Sequence, residues 1–139
     1  MILNINGHQK GNRVELSMPN IVLDSKLKYK VGLHRIYIEL QDTSGLRNMN
    51  NVLLFLSTNL VDRSAINPQQ SIVYFNYKDK TNKIQSHNTS NVIYYNLNLL
   101  ELASASFDIH HFTDSSVKFP ISKIFIQLEI LRQDAYGRF

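Results

Sequence analysis

Ile124-Phe125-Ile126-Gln127-Leu128-Glu129-Ile130 is the stretch that decides the fold, because hydrophobic and polar positions alternate along it. In an extended strand the four aliphatic side chains fall on one face, and Phe125, Gln127 and Glu129 fall on the other. Similar short runs follow one another along the chain, and no stretch has the period of a long amphipathic helix. Such a chain buries its apolar faces by packing sheet on sheet or by closing a barrel, so the sequence predicts an all-β fold.

The length and composition indicate one intracellular domain. A chain of 139 residues fits a single domain over residues 1–139, with no linker or internal repeat. The absence of cysteine excludes disulfides and thiolate metal sites and suits a reducing compartment. Residues 1–20 contain no signal-peptide core, and no apolar run is long enough to span a bilayer. We therefore expect a soluble protein without membrane contact.

About eight antiparallel strands are predicted where β-branched and aromatic residues cluster between turn signals. They are residues 1–6, 13–18, 29–40 (with 21–24 leading in), 52–57, 71–77, 92–97, 106–112 and 124–130. Asn6-Gly7 is interpreted as a hairpin turn, and Gly32 as a bulge or bend within a long strand. Residues 99–103 could form one helical turn. The strand spacing is typical of a sandwich or a barrel.

The net charge of +4 comes from 15 basic and 11 acidic residues that are scattered along the chain. Lys26, Lys28 and Lys30 alternate, and the lysines of residues 78–83 surround a turn, so no long basic arm forms. These lysines are interpreted chiefly as a solvated surface. Weak, salt-sensitive contact with nucleic acid or with an acidic protein face is the alternative.

The histidines do not predict a metal site. His110 and His111 are neighbours in a β-type run, so we expect their side chains on opposite faces, where they cannot share one metal ion. His8, His34 and His87 lie in separate segments without acidic partners at ligand spacing. The sequence therefore predicts no metal site and no cofactor.

The residue types of a hydrolase occur without the arrangement that catalysis needs. Ser104, Ser106, Asp108 and His110 are expected to form a row along one face of a strand, and no nucleophile elbow is present. The carboxylates of residues 39–42 straddle a strand end. Five glycines form no phosphate-binding loop. We predict no catalytic residue and no enzymatic activity.

Five aromatic residues have two interpretations. Tyr74, Phe75 and Tyr77 in one strand, with Tyr94 and Tyr95 in another, could line a shallow face for stacking sugars or bases. The same residues have high β-propensity and commonly pack across strands. Packing in the core or at a subunit interface is the favoured interpretation.

Several segments occur in an order that resembles a known family. They are an opening β run, a proline-containing stretch, Ile21-Val22-Leu23, Tyr29-Lys30-Val31-Gly32-Leu33, Leu56-Ser57-Thr58-Asn59-Leu60-Val61-Asp62-Arg63-Ser64, Ser71-Ile72-Val73-Tyr74, Val92-Ile93-Tyr94-Tyr95-Asn96-Leu97, Ile124-Phe125-Ile126-Gln127-Leu128 and Gln133-Asp134-Ala135-Tyr136-Gly137-Arg138. In this order the chain resembles the penton-type, or minor, capsid proteins of Maverick/Polinton-like elements, virophages and adintovirus-like viruses. Residues 41–44 depart from the Tyr-Asn-Ser-type stretch of that family.

The resemblance implies a single jelly-roll sandwich that serves as a structural capsomer subunit. It further implies a homopentamer at the vertices of the virion, packed against the major capsid protein and assembled in the cytoplasm or nucleus of the host cell. The alternative is a monomeric β-sandwich recognition module that binds a glycan or a host protein through its Tyr/Asn-rich loops.

Overall fold

The computed structural model describes residues 1–10, 13–43, 53–61, 71–76, 82–111 and 121–139, and this part of the chain is nearly all β. Its strands are β1 (Ile2–Lys10), β2 (Arg13–Ser17), β3 (Tyr29–Leu40), β4 (Leu53–Thr58), β5 (Ser71–Asn76), β6 (Ile84–Asn88), β7 (Tyr94–Asn96), β8 (Phe107–His111) and β9 (Ile121–Arg132). A 3₁₀ turn covers Leu102–Ser104. Within these residues no helix has the length and hydrophobicity needed to cross a membrane.

Six strands form one antiparallel sheet, the large sheet, in the order β2, β1, β9, β3 and β6, with β7 also paired to β3. The two longest strands, β3 and β9, lie at its centre and pair from Tyr29 opposite Arg132 to Leu40 opposite Ile121. One face of these strands carries aliphatic side chains at alternate positions, and Ile126 is fully buried. The large sheet therefore has a core face and an outer face.

The small sheet contains three antiparallel strands in the order β5, β4 and β8. An isolated bridge between Val22 and Glu101 lies outside the named strands. Leu60 and Val61, which follow β4, and Leu102, which precedes β8, are buried in one cluster with the core face of the large sheet. The two sheets thus share a hydrophobic core.

Backbone hydrogen bonds also connect the two sheets. The Leu97 N–H donates to the Tyr29 carbonyl at the start of β3 (3.1 Å), and the next residue, Asn98, donates to the Leu60 carbonyl (2.7 Å). Val61 and Leu97 form a bridge at the same place. The result is a β-sandwich-like fold closed along this side by main-chain contacts.

The predicted long strand over residues 29–40 is confirmed with the same bounds, and the predicted N-terminal hairpin is also present. Its turn was placed wrongly. Gly7 is buried within β1, between Leu16 of β2 and Ile124 of β9. The pairing of Lys10 with Arg13 leaves residues 11 and 12 to connect the strands, and these two lie outside the described residues. Glycine was mistaken for a turn signal because a small residue also fits between two paired strands.

The edges of the sheets differ most from the prediction. The strand β6 was missed because Gln85, Ser86, His87 and Asn88 are polar, as an edge strand permits. Residues 21–24 contribute the single bridge at Val22. The helical turn predicted over residues 99–103 is observed as the 3₁₀ turn Leu102–Ser104, which begins three residues later than expected. The irregularity expected at Gly32 falls between Leu33 and Arg35, where the register with β9 shifts.

Candidate functional site

The outer face of the large sheet carries a polar network that joins side chains from three strands. Residues paired across neighbouring strands share a face, so the side chains form rows across the sheet. One row contains Ile2 of β1, Glu129 of β9, Gly32 of β3 and Tyr94 of β7. Three residues of this row, Gly32, Glu129 and Tyr94, form the Glu129 cluster together with His34, which contacts Glu129.

Gly32 lets an aromatic side chain cross the sheet. A Cβ at this position would lie 2.5 Å from Val92 Cγ1 and 2.9 Å from two ring carbons of Tyr94, closer than packed side chains approach. The Tyr94 ring therefore occupies the space above the glycine. Its hydroxyl lies 3.4 Å from Glu129 Oε1, one strand beyond, and donates a long hydrogen bond to it.

The second oxygen of the same carboxylate contacts a histidine. His34 Nε2 lies 2.7 Å from Glu129 Oε2, and the two side chains are 32% and 22% exposed. His34 lies where the register between β3 and β9 shifts, and such an irregularity re-aims a side chain relative to its neighbours. The Glu129 carboxylate is thus bound from both sides, by a phenol and by an imidazole.

The cluster changes the acidity of its phenol. Partial burial raises the pKa of Tyr94, and the negative charge of Glu129 and the hydrogen bond to it raise this pKa further. All three effects oppose the formation of a phenolate. Tyr94 therefore remains a neutral phenol and serves as a hydrogen-bond donor.

Neighbouring rows extend the polar surface along the sheet. Gln127 donates a hydrogen bond through Nε2 to Asn4 Oδ1 (3.0 Å). The guanidinium carbon of Arg35 lies 6.0 Å from the centre of the Phe125 ring, at the outer limit of a cation–π contact. The outer face therefore carries charged, amide and aromatic side chains beside one another.

The hydrogen-bond partners of the Glu129 carboxylate in the described part of the chain are His34 and Tyr94. Glu129 contacts no serine, threonine or cysteine that it could activate as a nucleophile, judged on the contacts of the described residues. Across the same residues, no group of three or more histidine and carboxylate side chains could hold a metal ion. The expectation of a protein without catalytic residues stays a prediction.

The structure separates the hydrolase-type residues. Ser104 ends the 3₁₀ turn, Ser106 precedes β8, and only Asp108 and His110 lie within that strand. The expected row of four residues on one strand is therefore wrong at its first two members. An extended strand did not form there because the backbone turns at Leu102, whose side chain is buried in the core.

The other sequence candidates are dispersed. His110 and His111 are consecutive in β8, as expected, and their backbones pair with Phe55 and Leu54. His8 is exposed on β1, and His87 lies on the edge strand β6.

The five aromatic residues do not form one described face. Tyr95 packs against the hydrophobic core, whereas Tyr94 belongs to the outer face. Tyr74 and Phe75 have their backbones in β5, and Tyr77 lies outside the described residues. For Tyr95 the packing interpretation is confirmed.

The Glu129 cluster was missed by the sequence analysis. His34 and Glu129 are 95 residues apart, so their contact depends on the register between β3 and β9. Two local signals were available, a glycine inside a long strand and a carboxylate within the alternating stretch. Neither identifies its partner.

The chain was also compared with known proteins. Neither the protein-family models nor the curated proteins nor the solved structures contain a match to it.

Proposed function

We propose that this chain is a structural capsid protein, a penton-like jelly-roll capsomer subunit that assembles into a homopentamer and packs against the major capsid protein of a virion. Supporting observations are the strand order of the two sheets and the resemblance of the segment order to minor capsid proteins. The strand order carries most of the argument, because it does not depend on any single sequence motif.

The pairing pattern supports the jelly-roll part of the proposal. A jelly roll winds two Greek keys so that the first and last strands are neighbours in one sheet, the last strand also lies beside the third, and the next-to-last strand lies in the other sheet. Here β1 lies beside β9, β9 beside β3, and β3 beside β6 and β7, while β8 lies beside β4 and β4 beside β5. This is the neighbour relationship that such winding produces.

One strand of the eight-stranded pattern would come from the segment after β2. The Leu23 N–H donates to the Leu100 carbonyl (2.9 Å), and the Leu102 N–H donates to the Ile21 carbonyl (2.9 Å). These bonds join residues 21–23 to the segment that leads into β8. In a jelly roll the second strand pairs with the next-to-last strand, and this short ladder would correspond to that pair.

A capsomer of this kind associates through the sides and ends of the sandwich. Penton subunits form a closed ring, so each subunit must present two different, complementary surfaces. Assembly would take place in the cytoplasm or nucleus of the host cell. The polar outer face described above suits contacts that form during assembly, because its hydrogen-bonding groups need not be buried in the free subunit.

Light scattering coupled to size exclusion tests the proposal. We expect a species with the mass of five chains, and electron micrographs of that species should show fivefold symmetry. A chain that stays monomeric at every protein and salt concentration would contradict the proposal. Specific, saturable binding of a glycan by that monomer would instead support the alternative, a β-sandwich recognition module.

A further inference from the structure

One end of the sandwich combines positive charge with exposed apolar side chains. Residues 24–30, which lead into β3, run beside residues 131–139, which complete β9 and continue beyond it. The Gln133 N–H donates to the Lys28 carbonyl (3.0 Å), and Tyr29 pairs with Arg132. These two segments are called the basic end.

Most of the net charge of the chain lies on the basic end. Its two segments carry five basic and two acidic side chains, for a net charge of +3 out of +4 in the whole chain. The basic residues are Lys26, Lys28, Lys30, Arg132 and Arg138. Among these five, only Arg138 approaches a carboxylate of the described residues, with Nε 4.0 Å from Asp134 Oδ2. Two arginines that are distant in sequence, Arg132 and Arg138, therefore lie on the same end as the alternating lysines.

Two further carboxylates, Glu129 and Glu101, lie next to the basic end and keep their negative charges. Glu129 is already bound to His34 and Tyr94. Glu101 is exposed and pairs through its backbone with Val22, two residues before Asp24. Asp24 itself accepts a hydrogen bond from the Lys26 N–H (2.9 Å). Glu129 and Glu101 offset two of the three net positive charges of the two segments, so an added anionic group would meet a small excess of positive charge, carried by Lys26, Lys28 and Arg132.

A compact turn fixes the aromatic part of the basic end. One oxygen of Asp134 accepts hydrogen bonds from the N–H groups of Tyr136 (2.9 Å) and Arg138 (2.8 Å). Gly137 has a φ of 79°, which glycine adopts without strain. The turn holds the Arg138 guanidinium 5.4 Å from the centre of the Tyr136 ring. The Tyr136 side chain is 81% exposed, so the turn, and not core packing, sets its position.

Apolar side chains surround the cations. Lys30 Nζ lies 4.8 Å from the centre of the Phe139 ring, which is 46% exposed. Three of the eight large hydrophobic side chains that are exposed among the described residues lie on the basic end, Leu27, Tyr136 and Phe139, and two more, Met1 and Ile2, lie beside it, next to Ile130 and Glu129 of β9. A nucleic acid would use the cations and the aromatic rings. Aliphatic side chains at the rim are better matched by the side chains of a protein.

We propose that the basic end is a docking surface for an acidic protein segment, one that carries glutamate or aspartate side chains between apolar anchors. The carboxylates would contact the lysine and arginine side chains, and the apolar anchors would cover Tyr136, Phe139 and the aliphatic rim. This inference goes beyond the proposed capsomer role and is independent of it, because it is argued from the charges and contacts of the described residues alone. It holds equally for a monomer.

Fluorescence anisotropy with the purified full chain tests this inference. The probe is a fluorescein-labelled peptide of alternating glutamate and phenylalanine, and the same peptide with glutamine in place of glutamate is the first control. We expect saturable binding of the glutamate peptide that weakens as salt is added. The double variant Lys28→Glu with Arg132→Glu should weaken binding about tenfold, equivalent to about 1.4 kcal/mol.

Lys83→Glu is the matched charge control. Lys83 is exposed, and its carbonyl accepts a hydrogen bond from the Leu40 N–H, at the opposite end of β3. This variant should change the affinity less than about twofold, since screening removes most of its effect at that distance. Circular dichroism of each variant confirms that the strands are retained.

Three results would overturn the inference. The first is a loss of affinity in Lys83→Glu as large as that in the single variant Lys28→Glu, measured alongside the double variant, which would indicate nonspecific attraction. The second is equal affinity for the glutamine peptide. The third is tighter binding of a single-stranded oligothymidylate than of the glutamate peptide, with the oligothymidylate affinity lost in the same double variant. That result would make this end a nucleic-acid surface.

Discussion

Gly32→Ala should destabilise the protein although alanine is normally the better residue inside a strand. Replacing a glycine by alanine in a strand interior normally raises the free energy of unfolding by about 0.5–1 kcal/mol. Against this, the added Cβ would lie 2.5 Å from Val92 Cγ1 and 2.9 Å from the Tyr94 ring. Valine is branched at Cβ and cannot rotate away freely, so the repulsion must move backbone or ring.

The repulsion should exceed the gain. Overpacking of this kind costs about 1–3 kcal/mol, which leaves a net loss of up to about 2.5 kcal/mol in the free energy of unfolding. Urea denaturation followed by far-ultraviolet circular dichroism measures this loss, and the chain contains no tryptophan that would offer a simpler signal. We expect the midpoint to fall while the slope stays constant.

A double-mutant cycle with Val92→Ala identifies the cause. The truncated side chain no longer carries the nearest atom, so Gly32→Ala should cost at most about half as much in that background. A Gly32→Ala variant as stable as the parent protein would refute the argument. An equal cost in both backgrounds would show that Val92 is not the source of the strain.

Three further predictions concern the sheet and its C-terminal turn. The raised pKa of Tyr94 favours the neutral phenol in the folded state, so this residue contributes stability that is lost as pH rises above about 10. Tyr94→Phe should therefore flatten the decline in stability at alkaline pH, measured by denaturation. Glu129→Gln should lower the pKa of Tyr94 in a carbon-13 NMR titration. Ile126→Ala should lower the free energy of unfolding by about 2–5 kcal/mol, whereas Phe125→Ala on the outer face should cost less, and equal losses would contradict the assignment of the faces. Asp134→Ala removes the acceptor of two backbone hydrogen bonds, so amide exchange in the C-terminal turn should accelerate while exchange in β9 stays unchanged.

The centre of the fold could be predicted from the sequence, and the edges could not. The alternating stretch in β9 and the long run in β3 are strong signals because each must cover a core on one face. The polar strand β6 has only Ile84 as a large apolar residue, and this side chain is exposed. Its position depends on pairing with β3, which no local pattern reports.

The candidate site was less predictable than the fold. His34, Tyr94 and Glu129 come from three strands, and each is unremarkable within its own segment. Their contact follows from one glycine and one shift of register. The basic end has the same origin, since Lys28 and Arg132 become neighbours only when β3 and β9 pair.

Two short strands, β6 and β7, share the pairing with one edge of β3, and this affects how copies of the chain can associate. One partner covers Arg35 to Glu39 of β3 and the other covers Lys30 to Gly32, while the Thr89 N–H donates to the His34 carbonyl (2.9 Å) between them. The outer margin of the sheet is thereby broken into segments of five and three residues. Such fragments are poor templates for continuous strand addition, so this margin resists growth into fibrils at high local concentration. Contacts between neighbours would then be selected by side chains, which can be specific, in preference to backbone pairing, which is not.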